Sequence, residues 1–220
     1  MTADVPPVKP ARPTRREKAT ATRERIVRAA IDVFAGAGFV GARMSDIAAR
    51  AGVAVQTVYF VFHTKAELLS ACFDHAVLGP ERLPPQEQAF WSEMTAARSG
   101  RAALAAFVRG NAEILARVAV VDEVARSVPH EPDAAAVVAN SERLRREGYG
   151  EVVALLGDRF GLRDGLTPEA ATDLLLMFGS SGPYLTLRRY GWSGEAFVAG
   201  STDPLAEPLL ARPGRRRGAA

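Results

Sequence analysis

MSDIAARAGVAVQTVYFVFHTKAELL, residues 44–69, reads as two short helices joined by a glycine turn, with a third helix opening at its end. In the first, Met44, Ile47, Ala48 and Ala51 recur at helical spacing. Gly52 stands where a helix end takes a left-handed residue without a Cβ penalty. Val53 begins the return to the core. In the second, Val58 and Phe62 fall on one face, and Gln56, Thr57 and Tyr59 on the other. Ala48 is small enough to let the two helices cross closely. This is a helix-turn-helix pattern, whose second helix enters the DNA major groove while flanking elements hold phosphates. Gln56 and Thr57 are expected at base edges, Tyr59 and Lys65 on phosphates, and Arg43 as a further phosphate contact.

The flanks supply a third helix and a lid. Lys18 to Ala37 carries Ile26, Ala29, Ala30, Val33 and Phe34 in one stripe, the face that must cover the helix-turn-helix. Downstream, Thr64 and Glu67 have capping-box spacing, followed by Leu68, Leu69, Cys72, Phe73 and Ala76 turned inward. Lys65 then lies in a first turn, where a cation opposes the helix dipole unless a phosphate is near. Arg43 stands where a Ser or Thr would cap the second helix, so the cap comes from Ser45, from the backbone, or is absent.

Taken together, Ile26–Phe34, Gly36-Ala37-Gly38-Phe39, Asp46-Ile47-Ala48, Ala51-Gly52-Val53, Thr57-Val58-Tyr59, Phe62 and Lys65–Leu69 resemble, in order and spacing, the DNA-binding domain of the TetR family of bacterial transcriptional regulators. The resemblance runs from about Arg23 to Ala76. It implies an all-α homodimer with its recognition helix at Gln56–Phe60, and a C-terminal helical domain that binds a small ligand and thereby releases DNA. Val55 and Val61 depart from the family pattern, being apolar where polar or basic residues are common.

Charge is divided along the chain. Through residue 65, eleven basic residues face five acidic; from 66 to 211, thirteen face twenty; the last nine residues add four arginines. The polyanion-binding end is thus the N-terminus. Residues 1–17 are proline-rich and read as a flexible basic arm with Lys9, Arg12, Arg15 and Arg16; it either follows a DNA groove or is a solvated tail. Residues 212–220 read as a disordered basic tail. The single cysteine, Cys72, excludes an intramolecular disulfide. No signal peptide or bilayer-spanning apolar run stands out, so the expected location is the cytoplasm.

The domain division expected is therefore an arm at 1–17, a three-helix DNA-binding domain at 18–66, a helical effector-binding and dimerisation domain at 67–211, and the tail. Turn signals at Gly79-Pro80, Ser99-Gly100, Pro129–Pro132 and Gly161–Gly165 cut the second domain into helices, including one from about Asp133 to Asp158. Thr167-Pro168-Glu169 is a strong start for a last major helix, with a kink or break expected at Pro183. The two long apolar helices late in the chain either form half of a four-helix dimer interface, as the resemblance implies, or pack only within one subunit; because two-fold operators need a two-fold protein, a homodimer through 133–190 is expected. In the helix from Arg101, Asn111 is the polar member of an apolar face with Leu104, Phe107, Ile114 and Val118. Its amide needs partners, in a neighbouring helix or in a ligand. Trp91, Phe107, Asn111 and Tyr149 are the candidate effector contacts, although core packing accounts for the aromatics equally well. Enzyme chemistry finds no support: His63, His75 and His130 share no metal-ligand spacing, and no nucleophile elbow or cofactor loop is present. No cofactor is expected. His63 is expected beside the DNA face, His75 on an exposed helix side, and His130 in a loop. A DNA-binding dimer without an effector is the alternative.

Overall fold

The computed structural model describes residues 14–211, and among these the secondary structure is helical apart from one isolated bridge. Helix α1 (Arg15–Gly41) begins earlier than the apolar stripe indicates. Thr14 accepts a hydrogen bond from the Glu17 amide while the Glu17 carboxylate accepts from the Thr14 amide, a reciprocal cap that recruits residues 15–17 from the arm into the helix. The rest of the arm and the basic tail lie outside the described residues. Near its other end α1 breaks at Gly38, where φ is +69°, and this turn sends Phe39 back into the core.

Helix α2 (Met44–Ala51) ends at Gly52 with φ +65° and ψ 42°, the left-handed geometry its sequence demanded. Helix α3 (Val55–Val61) and helix α4 (Lys65–Leu78) follow. Ile26, Ala30, Phe34, Ile47, Val58, Phe62, Leu68 and Leu69 interlock at 1% exposure or less. The same cluster runs on into Val118, Val121 and Ala125, so packing is continuous across residue 66.

A 3₁₀ turn (Pro85–Glu87) leads into α5 (Ala89–Ala96), and then α6 (Gly100–Arg126) traverses the molecule. Helix α6 packs on α1 and α4 at one end and on α5, α7 and α10 elsewhere. Helix α7 (Pro132–Phe160) matches the long helix expected from about 133 to 158. Helix α8 (Pro168–Phe178) is capped by the Thr167 side chain, which accepts from the Ala170 amide at 3.2 Å. The expected kink is a full break, because α8 stops at Phe178 and α9 (Ser181–Arg189) starts anew. Pro183 thereby lies in a first turn, where its missing N–H costs nothing.

The final helix, α10 (Gly194–Leu209), has no counterpart in the sequence reading, since Pro204 and Pro208 lie inside it. Burial of Phe197, Leu205 and Leu209 at 2% exposure or less outweighs the helix-breaking prolines.

Candidate nucleic-acid interface and effector cavity

Helix α3 is anchored from below by Val58 and by Phe62 at its C-cap, both essentially inaccessible, so its opposite face is held outward. Gln56 is exposed, Thr57 half-exposed, and Tyr59 is 51% exposed. Their side-chain polar atoms make no hydrogen bond within the described residues, which leaves them available to an external partner. Phe60, absent from the residues expected to contact DNA, is 84% exposed. Its position off the Val58–Phe62 stripe is the sequence signal that marks it. Arg43 occupies the N-cap of α2 without a side-chain cap bond, and its exposed guanidinium has no ion-pair or hydrogen-bond partner among the described residues.

Lys65 is placed differently from an exposed first-turn lysine. Its Nζ donates to the carbonyls of Val40 and Ala42, each at 3.3 Å, and stands 4.6 Å from the Phe39 ring centre. The break at Gly38 leaves carbonyls at the end of α1 without helical partners, and the ammonium satisfies two of them. One of its three donors is not used by these two bonds. Thr64 caps α4 by accepting from the Glu67 amide at 3.0 Å. The Glu67 carboxylate accepts from the His63 amide and contacts its ring, bonds that hold the carboxyl below its usual range.

Behind this surface lies a cavity of about 620 Å³, walled by α1, α4, the Arg82–Gln86 segment, α5, α6 and α7. Trp91, Phe107, Asn111 and Tyr149 all stand on its wall. The polar ends of two of them are engaged internally. Asn111 Nδ2 donates to the Gly179 carbonyl at 3.0 Å, and the Tyr149 hydroxyl lies 2.8 Å from Asn111 Oδ1 and 2.5 Å from the same carbonyl. The buried amide thus finds its partners in neighbouring helices, at the break between α8 and α9. Burial pushes the Tyr149 phenol well above its usual range, so it remains a neutral donor. Phe107 meets the Tyr149 ring edge-on at 5.2 Å.

His75 corrects the sequence reading. It is half-buried on the cavity wall, with Nδ1 sealed from solvent and unpartnered. Burial, with Arg28 and Arg82 nearby, holds it below its usual range. Its spacing of three from Cys72 and seven from Leu68 would have placed it beside the buried stripe of α4. His63 and His130 are exposed. Among the described residues no cluster of three or more His, Cys, Asp or Glu side chains is arranged to hold a metal ion, and no helix is long and apolar enough to cross a membrane.

Comparison with known proteins agrees with this architecture. Residues 26–72 match the sequence profile described as bacterial regulatory proteins, tetR family. A comparison with curated proteins found no significant sequence relative. Among solved structures, the transcriptional regulator FadR from Bacillus subtilis, in complex with stearoyl-CoA, superposes with a TM-score of 0.68 at 18% identity, over 84% of this chain and 98% of that one. The fatty acid degradation regulator FadR from Bacillus halodurans gives 0.69 at 19% identity, over 84% and 94%. NalD, the secondary repressor of the MexAB-OprM multidrug efflux pump in Pseudomonas aeruginosa, gives 0.57 at 18% identity, over 88% and 98%. At these identities the likeness is one of fold.

Proposed function

We propose that this chain, whose N-terminal domain is that of the TetR family of bacterial regulatory proteins, is a ligand-responsive transcriptional repressor that binds a pseudo-palindromic operator as a homodimer. One observation carries the reading: the cavity wall is built from α1 and α4, whose buried cluster also anchors α3 through Val58 and Phe62, as well as from α5, α6 and α7. A molecule lodged there touches both halves of the protein. Its preference for one arrangement of α4 against α6 would reset the spacing of the two recognition helices, to the extent of its differential affinity. Structural neighbours in complex with stearoyl-CoA and acting as an efflux-pump repressor support a sensor role. The homodimer is assigned to residues 133–190, where Leu144, Met177 and Tyr190 are 48%, 55% and 79% exposed. Large exposed apolar side chains are what an oligomer interface covers.

Gln56 and Thr57 are assigned to base edges, Tyr59, Arg43 and the remaining donor of Lys65 to phosphates, and Phe60 to a thymine methyl. Selection of bound sequences from random DNA with the purified protein tests the reading; recovery of no symmetric half-sites would overturn it. With the selected operator, Gln56→Ala should cost about 1–3 kcal/mol at one base pair of each half-site and leave binding to random DNA nearly unchanged. Equal weakening on both DNAs would remove Gln56 from base readout.

Lys65→Ala should act twice. Loss of one phosphate contact per subunit lowers the slope of log K against log salt by roughly 2 in a dimeric complex. Exposure of the Val40 and Ala42 carbonyls lowers stability by about 1 kcal/mol, measurable by denaturation. A destabilised variant with the parental salt slope would leave Lys65 as a cap of α1 alone. Melting-temperature shifts with a panel of apolar and aromatic metabolites distinguish a sensor from a regulator without an effector, because a ligand that binds only the folded state raises the melting temperature.

A further inference from the structure

The charges on the cavity wall are unevenly satisfied. Glu24 is paired with Arg82 at 3.6 Å, Glu147 with Arg143 at 2.7 Å, and Glu151 accepts from the Gln86 amide at 2.7 Å. Asp74, the remaining acid there, has its carboxyl raised above its usual range by partial desolvation, against the pull of Arg23 and Arg82. On α7, Arg143 and Arg146 each hold an acid, and Arg159 donates to three carbonyls. Arg145 is different. It is half-buried on the cavity wall, one turn before Tyr149, and has no hydrogen-bond or ion-pair partner among the described residues. Its Nε is sealed from solvent.

A guanidinium cannot neutralise itself by losing a proton, so its withdrawal from water calls for an anion. His75 on α4 is a second unsatisfied group on the same wall. The charged groups that act on it are Arg28, Arg82 and Arg117, opposed by Glu24, and the balance disfavours a further positive charge. The wall as a whole is not cationic, since Arg23, Arg82 and Arg145 share it with Glu24, Asp74, Glu147 and Glu151, but Arg145 presents a cation that none of these acids pairs. Beyond the charged groups it is apolar, with Trp91, Phe107, Ile114, Leu115 and Val118.

We infer that the cavity takes an amphipathic anion, a molecule whose carboxylate or phosphate meets the Arg145 guanidinium and whose apolar body lies along Trp91, Phe107 and Ile114. The inference rests on the effector reading of the cavity and narrows it to a chemical class. A planar guanidinium matches either oxyanion in a forked geometry, whereas a neutral amide of the same shape offers a weaker acceptor.

The test is calorimetric titration of the full chain with decanoate, decyl phosphate and decanamide, and with 2-naphthoate beside 2-naphthamide for an aromatic body. At least one anion should bind about tenfold or more tightly than its amide. Decanoate against decyl phosphate separates carboxylate from phosphate recognition. Arg145→Gln should abolish the preference while leaving the amide's affinity and the melting temperature unchanged, since the guanidinium has no internal partner to lose. Arg145→Lys should restore part of the preference. A parental preference that persists in Arg145→Gln, amides that bind as tightly as their anions, or no binding by any of the five probes would overturn the inference. Operator release, followed by fluorescence anisotropy, is read separately. An anion held through Arg145 that leaves DNA bound supports this inference and refutes the sensor role, whereas an amide that matches its anion and releases DNA does the reverse.

Discussion

Gly110→Ala is expected to destabilise the protein by about 3 kcal/mol, although alanine in an isolated helix is about 1 kcal/mol better than glycine. Gly110 is buried in the middle of α6, beneath Phe90 of α5. A Cβ there would stand 2.1 Å from Phe90 Cγ and 2.5 Å from Phe90 Cβ. Turning the ring cannot relieve the second contact, so α5 itself must move. Phe90 is in turn held edge-on to Trp91 at 6.4 Å, and both rings line the cavity. Chemical denaturation measures the loss, and calorimetry with a bound probe would show reduced affinity as the wall shifts. In Phe90→Gly, which removes the Cβ as well as the ring, the added cost of Gly110→Ala should largely vanish, because neighbouring sites do not add. A Gly110→Ala protein as stable as the parent would show that α5 is not seated on this glycine.

Phe34→Ala should cost about 3–5 kcal/mol and take DNA binding with it, although Phe34 lies under the reading surface and is only 1% exposed. Its ring stacks on Phe39 at 6.0 Å, and Phe39 lies beneath the Lys65 ammonium. Removal of the ring leaves a void at the Gly38 break, where the end of α1, the start of α2 and the first turn of α4 are joined. Loosening that joint spreads the orientations of α3 even in molecules that remain folded. Phe34→Leu, which keeps most of the volume, should lose under about 1.5 kcal/mol and retain operator binding. Full operator affinity in Phe34→Ala at a temperature where the protein is folded would separate the joint from the pose of α3.

The outline of the DNA-binding end was legible because each decisive residue acts through its immediate neighbours. Gly52 supplies the φ of +65° that the turn needs, and Val58 and Phe62 are buried as their spacing required. Thr167 and Pro168 start α8 for the same local reason. A periodic pattern records which face of a helix is covered, but not which partner covers it. Tertiary structure alone decided that Lys65 ties down the end of α1, that Asn111 and Tyr149 share the Gly179 carbonyl, and that α10 holds together through Pro204 and Pro208. Long-range burial overrode local propensity in α10, and carbonyls freed at two helix breaks drew in donors from distant parts of the chain. The unsatisfied state of His75 and Arg145 is equally a product of assembly. A side chain lacks a partner only by virtue of what surrounds it, and the helices around these two come from across the whole chain.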